Sequence, residues 1–253
     1  AEAGVKAIHC EKPMATTYGD ARRMVEACDS RGIQLTFNHQ RRFLAPFRKA
    51  KAMLKEGRIG DLVRLEAATS NLYDWGTHWF DMLFFLNDDT PAEWIIGQIE
   101  VRGNRKIFGA PVEGQGLAHF KFKNGVHGLM VTGFEAGWEA EIRLIGKQGV
   151  IEIAPKDGSN NDVRIWGKNQ SGWEGHKLEE NIHGNEAVKR GVLDLVDALK
   201  NKREPELSGH RALRATELIF GTWESARRRG RVDLPLTIDD SPLADLIARA
   251  TPS

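Results

Sequence analysis

The chain has 253 residues, with 36 Lys and Arg against 35 Asp and Glu and a formal net charge of +1. That length buries a sizeable core, in one large domain or two smaller ones, without disulfide or metal staples. Balanced charge argues against a dedicated nucleic-acid binder, and apolar runs such as Met82 to Leu86 fall far short of the ~20 residues of a membrane span.

Val5 to Cys10 reads as a short apolar strand. Thr17 then suits a helix N-cap with Asp20 in capping-box position, and Ala21, Met24, Val25 and Cys28 follow at helical spacing. Gly32 closes the helix, and Ile33 to Asn38 reads as a second strand. Strand, helix and strand make a βαβ unit with parallel strands. Two parallel strands are marginal alone, so the unit is expected to be the tail of a larger sheet. The alternative is that its strands join the sheet that follows.

Pro46 suits the first turn of a helix carrying Phe47, Ala50, Met53 and Leu54, closed by Gly57. Leu62 to Thr69 reads as a strand, and Thr77 to Asn87, apolar on most sides, as a buried helix. From Glu93 to Trp166 strands follow one another. Two hairpins stand out, 118–122 with 126–131 and 141–145 with 150–153, and each is expected to use Gly125 or Gly149 where φ is positive. Two long helices close the chain. The first carries Val188, Val192, Leu195, Val196 and Leu199; the second starts near Ser208 and includes Leu213, Phe220 and Trp223. Arg227 to Arg229 read as cations at that helix's C-terminus, with Gly230 as the left-handed residue. The fold class is therefore α+β: a large, mostly antiparallel open sheet with helices on one face, preceded by the βαβ segment. The boundary is placed between residues 44 and 45, giving segments 1–44 and 45–253.

Two constellations can carry chemistry. The first strand runs into Glu11, Lys12 and Pro13, and ligands of open α/β sheets bind beyond the carboxyl ends of strands; a solvated turn is the plain alternative. The second is Asp74-Trp75-Gly76-Thr77-His78-Trp79-Phe80-Asp81. Asp74 lies four residues before His78 where a helix begins, so one turn brings them to one side. A carboxylate there would orient the imidazole and raise its proton affinity, as a general base near neutral pH requires. A capping aspartate with a core histidine is the competing reading. No second His or Cys completes a metal shell, so no metal is expected. His119, His127, His176, His183 and His210 read as structural or solvated. The two cysteines, Cys10 and Cys28, are too few for a disulfide scaffold, and a reducing, cytoplasmic setting is the default. The dinucleotide fingerprint G-x-G-x-x-G is absent, its nearest approach at Gly114 leading into a strand.

Four stretches taken together resemble the glucose-fructose oxidoreductase / inositol dehydrogenase / MocA family: C-E-K-P-M-A-T-T at 10–17, N-H-Q-R-R-F at 38–43, D-W-G-T-H-W-F-D at 74–81, and S-G-H-R-A-L-R-A-T-E-L-I with R-V-D-L-P-L near the end. The resemblance implies an oxidoreductase that uses NAD or NADP on a sugar or polyol hydroxyl. It implies Lys12, Asp74 and His78 as catalytic residues, Glu11, Lys12 and Pro13 at the cofactor, and Arg41, Asp74 and His78 at the substrate. His78 would take the hydroxyl proton as hydride leaves the same carbon. The first part of the family's Rossmann domain, on the order of 80–90 residues or half a typical domain, has no counterpart, so this stretch alone is expected to bind dinucleotide poorly. A homo-oligomer through the open sheet face is implied as well. The rivals are a non-enzymatic association protein built on that sheet, and a glycosidase using bound NAD.

Overall fold

The computed structural model describes residues 1–101, 105–133, 140–184 and 186–250. β1 (Ala7–Cys10), α1 (Tyr18–Asp29) and β2 (Gln34–Phe37) form the βαβ unit, its strands parallel with Ala7 opposite Gln34. Thr17 caps α1 from an extended backbone, its hydroxyl oxygen accepting the Asp20 amide at 3.1 Å. The two strands keep a sheet of their own and do not join the large one. What covers them is a small apolar cluster of Met14, Ala21, Val25, Cys28, Ile33, Leu35 and Phe37, with Ala212 contributed from the far end of the sequence.

A 3-10 turn (Gln40–Phe43) leads into α2 (Ala45–Lys55), where Pro46 sits in the first turn, and then into β3 (Leu62–Thr69). α3 (Gly76–Leu86) is buried at every position, as its apolar sequence predicts. Next come β4 (Ala92–Glu100), the small hairpin of β5 (Lys106–Ile107) and β6 (Ala110–Pro111), β7 (Gln115–Phe122) and β8 (His127–Thr132). After them stand β9 (Ala140–Gly146), β10 (Gly149–Pro155), β11 (Val163–Gly167) and β12 (Glu174–His176). The chain closes with α4 (Glu186–Asn201), α5 (Gly209–Arg228), β13 (Val232–Asp233) and α6 (Pro242–Ala250). Among the described residues no helix is long and apolar enough to cross a membrane.

Nine strands make one sheet in the order β12-β11-β10-β9-β3-β8-β7-β4-β13, antiparallel throughout except where β3 lies parallel to β8. The alternation of β7 shows its two faces. Gly116, Ala118, Phe120 and Phe122 point into the core beneath α3 and α5, while Leu117 stands 46 % exposed on the opposite face. The core face is aromatic, with Phe80 edge-on to Phe120 and Phe84 edge-on to Phe122; such pairs add a little beyond the area they bury.

Three local readings are corrected. Gly125 has the positive φ its hairpin needs, +88°, but Gly149 does not; it is a strand residue, and a Cβ there would lie 2.4 Å from the Trp166 carbonyl oxygen. On α4 the buried face is Ala187, Gly191, Leu195 and Ala198, whereas Val192 and Val196 are exposed: the helix docks through its small residues, which allow close approach, and not through its valines. At the end of α5 Arg229, not Gly230, takes the left-handed conformation, at φ +56°. The neighbouring Arg227 and Arg228 are spent on Glu224, with Asp240 also on Arg227.

Candidate active site

Lys12 leaves the carboxyl end of β1 and its peptide bond to Pro13 is cis. Its ammonium donates to the Asp74 carboxylate and, at 3.2 Å, to the Asp74 carbonyl. One side chain of the βαβ unit thus meets the segment that opens α3, 62 residues away. That segment is held from below. Asn71 accepts the Asp74 amide on its side chain at 2.7 Å and the Gly76 amide on its carbonyl at 2.8 Å. Glycine is required at 76, because a Cβ would stand 2.9 Å from that same carbonyl oxygen. The fully buried Glu113 accepts the Leu72 amide at 2.5 Å and the Trp223 indole N–H at 3.2 Å, and the Tyr73 hydroxyl donates to the Ala15 carbonyl at 3.3 Å.

His78 lies in the first turn of α3, 4 % exposed, its Nδ1 buried without a partner. Its proton affinity is lowered well below the ordinary histidine value, first by burial and then by the positive charge or ring of His39, Arg41, Lys12 and His183. The α3 N-terminus acts in the same direction. This differs from the sequence expectation. Asp74 is engaged by Lys12, and the imidazole meets a surplus of positive charge where a carboxylate was expected. His78 is therefore neutral at neutral pH, with a lone pair available.

Around this pair stand Arg41, named from the sequence, and three residues that the motif reading passed over, Asn38, His39 and Arg42. His39 packs edge-on to His78 with ring centres 5.6 Å apart, and its Nε2 is 3.0 Å from the Thr77 hydroxyl. Burial lowers its proton affinity too, against the pull of Asp81. Asn38 donates to Glu11 at 2.6 Å while its own Oδ1 is buried and unpartnered. Arg42 is fully buried, gripping Asp81 at 2.9 and 2.8 Å and Asp89 at 3.1 and 2.7 Å. Arg41 lies on the Trp79 ring at 4.4 Å, donates to the Ile182 carbonyl, and reaches His183 Nδ1 at 3.4 Å. Of the flanking tryptophans, Trp79 is core and Trp75 is 38 % exposed at the rim. Both Asn38 and His39 sit inside the N-H-Q-R-R-F stretch, and Asp81 follows His78 by three residues. The spacing of Asp81 one turn after His78 was the available signal.

Lys12, Asp74, His78 and Arg41 thus come together, with Glu11 tied to Asn38 at the end of the same parallel strands. The architecture is two-part: a βαβ segment whose first strand runs into Lys12, and a larger α/β part whose helix α3 begins just before His78. The pattern of the oxidoreductase family's C-terminal alpha/beta domain matches residues 66–234, and that of its NAD-binding Rossmann fold matches residues 1–39. The chain belongs to this family, Gfo/Idh/MocA. It is 26 % identical to D-apiose dehydrogenase of Paraburkholderia graminis, over 96 % of this chain and 70 % of that enzyme. It is 31 % identical to 1,5-anhydro-D-fructose reductase of Ensifer adhaerens, over 56 % of this chain and 50 % of that protein. The fold is shared with an aldose-aldose oxidoreductase from Caulobacter crescentus complexed with glycerol, at a TM-score of 0.72 and 20 % identity, over 92 % of this chain and 73 % of that one.

Proposed function

We propose that this chain supplies the catalytic end of a sugar or polyol dehydrogenase, with residues 1–44 on the cofactor side and 45–253 on the substrate side. The observation that carries the reading is the Lys12 ammonium fixed on Asp74 beside a buried, neutral His78. The enzymes named above, a D-apiose dehydrogenase and an anhydrofructose reductase, act on sugars and support it.

In this reading Lys12 donates a hydrogen bond to the reacting hydroxyl oxygen, and Asp74 holds the ammonium in place. His78 takes the hydroxyl proton in oxidation and returns it in reduction. Lys12 and Arg41 both favour the negative charge that develops on that oxygen. The nicotinamide cofactor, NAD or NADP, supplies the hydride acceptor or donor when bound. The strand-end residues fit it: the unpartnered Asn38 Oδ1 and the Glu11 carboxylate are acceptors available for ribose hydroxyls. Glu11, Lys12 and Pro13 would line its nicotinamide end.

The test is absorbance at 340 nm with a panel of sugars and polyols and each nicotinamide cofactor, using the full gene product that contains this chain. Lys12→Met and His78→Asn are each expected to lower kcat by roughly 10²–10⁴-fold. Unchanged turnover in both variants would overturn the reading. The open sheet face, which exposes Ile96, Leu117 and Trp166, is assigned in the same proposal to a second copy of the chain. Light scattering on Leu117→Lys should then show a loss of dimer.

A further inference from the structure

Around His78 the charges do not balance. Lys12 is answered by Asp74, and Arg42 by Asp81 and Asp89. Arg41 has no carboxylate within salt-bridge distance among the described residues, although it is 4 % exposed. The acid that acts on it from farther away, Glu141, is already used by the Trp79 indole N–H at 3.2 Å and by Lys156 at 2.9 Å. Burial brings the Arg41 guanidinium down to about 10, with Glu141 only partly opposing. Its Nε is buried and unpartnered. A desolvated cation without a counter-charge is costly, and stacking on Trp79 recovers only part of that.

The neighbour of Arg41 is informative. A guanidinium has only donors, so His183 Nδ1, 3.4 Å from Arg41 Nη2, is the accepting nitrogen and the ring proton resides on Nε2. His183 is exposed and meets the rim residue Trp75 edge-on at 5.9 Å. Partial desolvation of the ring against the protein and the charge of Arg41 both disfavour a second proton on it. The ring is therefore a neutral N–H donor of fixed tautomer, backed by a buried positive charge. It stands close enough to His78 to affect its titration.

We propose that the substrate is a sugar acid, and that His183 and Arg41 form the subsite for its carboxylate while Lys12 and His78 act on its hydroxyl. This rests on the dehydrogenase reading and names its substrate class. The carboxylate accepts from His183 Nε2 against the Trp75 ring. Arg41 is the positioning residue, setting the tautomer and supplying the compensating charge. A phosphate would answer the same charge, but the single N–H donor with one cation behind it suits a monoanion.

Calorimetric titration of the protein with D-glucuronate and D-galacturonate, their methyl esters, the parent aldoses and glucose 6-phosphate tests this. At least one acid should bind roughly 10-fold tighter than its uncharged ester, as loss of a charge-assisted hydrogen bond implies. His183→Ala should remove that preference, the acid then binding no tighter than its ester, and Arg41→Lys should restore part of what Arg41→Met loses. Since His183 is exposed, its variants keep the test valid even if Arg41→Met does not fold. Equal binding of acid and ester, preference for the phosphate, or no saturable binding of either acid overturns the proposal. Hydride transfer from neutral polyols alone would sink the acid subsite and leave the dehydrogenase reading standing. An acid-selective protein that transfers no hydride would do the reverse.

Discussion

Arg42 offers the sharpest test of how the site is built. It is fully buried and makes four charge-assisted hydrogen bonds, two to Asp81, itself fully buried, and two to Asp89. Burial raises the proton affinity of Asp89, but the bonds and charge from Arg42 outweigh it and hold the carboxyl below the usual range. Arg42→Met keeps most of the stem and removes the charge, leaving Asp81 buried beside a neutral His39 at 3.6 Å. Removing one partner of a buried pair costs about 3–5 kcal/mol, chiefly from the uncompensated charge left behind. For a chain of this size that is a fall in Tm of about 6–20 °C. Urea unfolding measures it directly. Asp81→Asn added to Arg42→Met should return about 1–3 kcal/mol, because the stranded charge is then gone. A loss below about 1 kcal/mol in the single variant, or strict additivity in the double, would refute this account of the pair.

The pH dependence has a defined sign. His78 and His39 both have lowered proton affinity when folded, so the unfolded chain binds their protons first and stability falls as pH drops below about 6.5. Each contributes up to about 1.4 kcal/mol per pH unit in that window; the slope in urea titrations should fall by that amount in His78→Asn. Glu113→Gln turns one carboxylate oxygen into an amide N–H, which then meets either the Trp223 indole N–H or the donors Leu72 and Thr132. It should cost about 1–3 kcal/mol and lower kcat more than it raises KM, through the loop that carries Asp74. Gly97→Ala would put a Cβ 2.5 Å from Thr222 Cγ2 and 2.8 Å from its carbonyl oxygen. Pushing α5 off β4 should destabilise by about 1–3 kcal/mol in the same assay.

Much of this was legible because it is local. The Thr17 cap, the Gly125 turn and the buried, largely apolar α3 follow from residue type and spacing, and the structure places each where the pattern predicts. The misreadings are tertiary. Nothing local tells α4 to bury Gly191 in place of Val192; the choice belongs to Leu207, 2.7 Å from where a Gly191 Cβ would stand. Proximity in sequence also paired Asp74 with His78. The stronger attraction came from Lys12, a charge that periodicity cannot see. His183 reads from the sequence only as structural or solvated for the same reason, since its partner Arg41 is 142 residues away.

In the proposed reaction the base has little appetite for protons, but the reacting hydroxyl would occupy the same field. Lys12 and Arg41 depress His78, and by the same Coulomb interaction they favour an alkoxide over a hydroxyl. Transfer depends on the difference between the two affinities, and a shared field moves both together. Lys12 touches the oxygen directly in the proposed arrangement and reaches His78 only through space, so it lowers the hydroxyl more than the imidazole. Lys12→Met should therefore widen the gap, making proton transfer harder even as His78 becomes a stronger base. The pH profile of kcat/KM would show this as an acid limb displaced upward together with a lower plateau. A displaced limb with the plateau intact would mean that Lys12 acts on the imidazole alone.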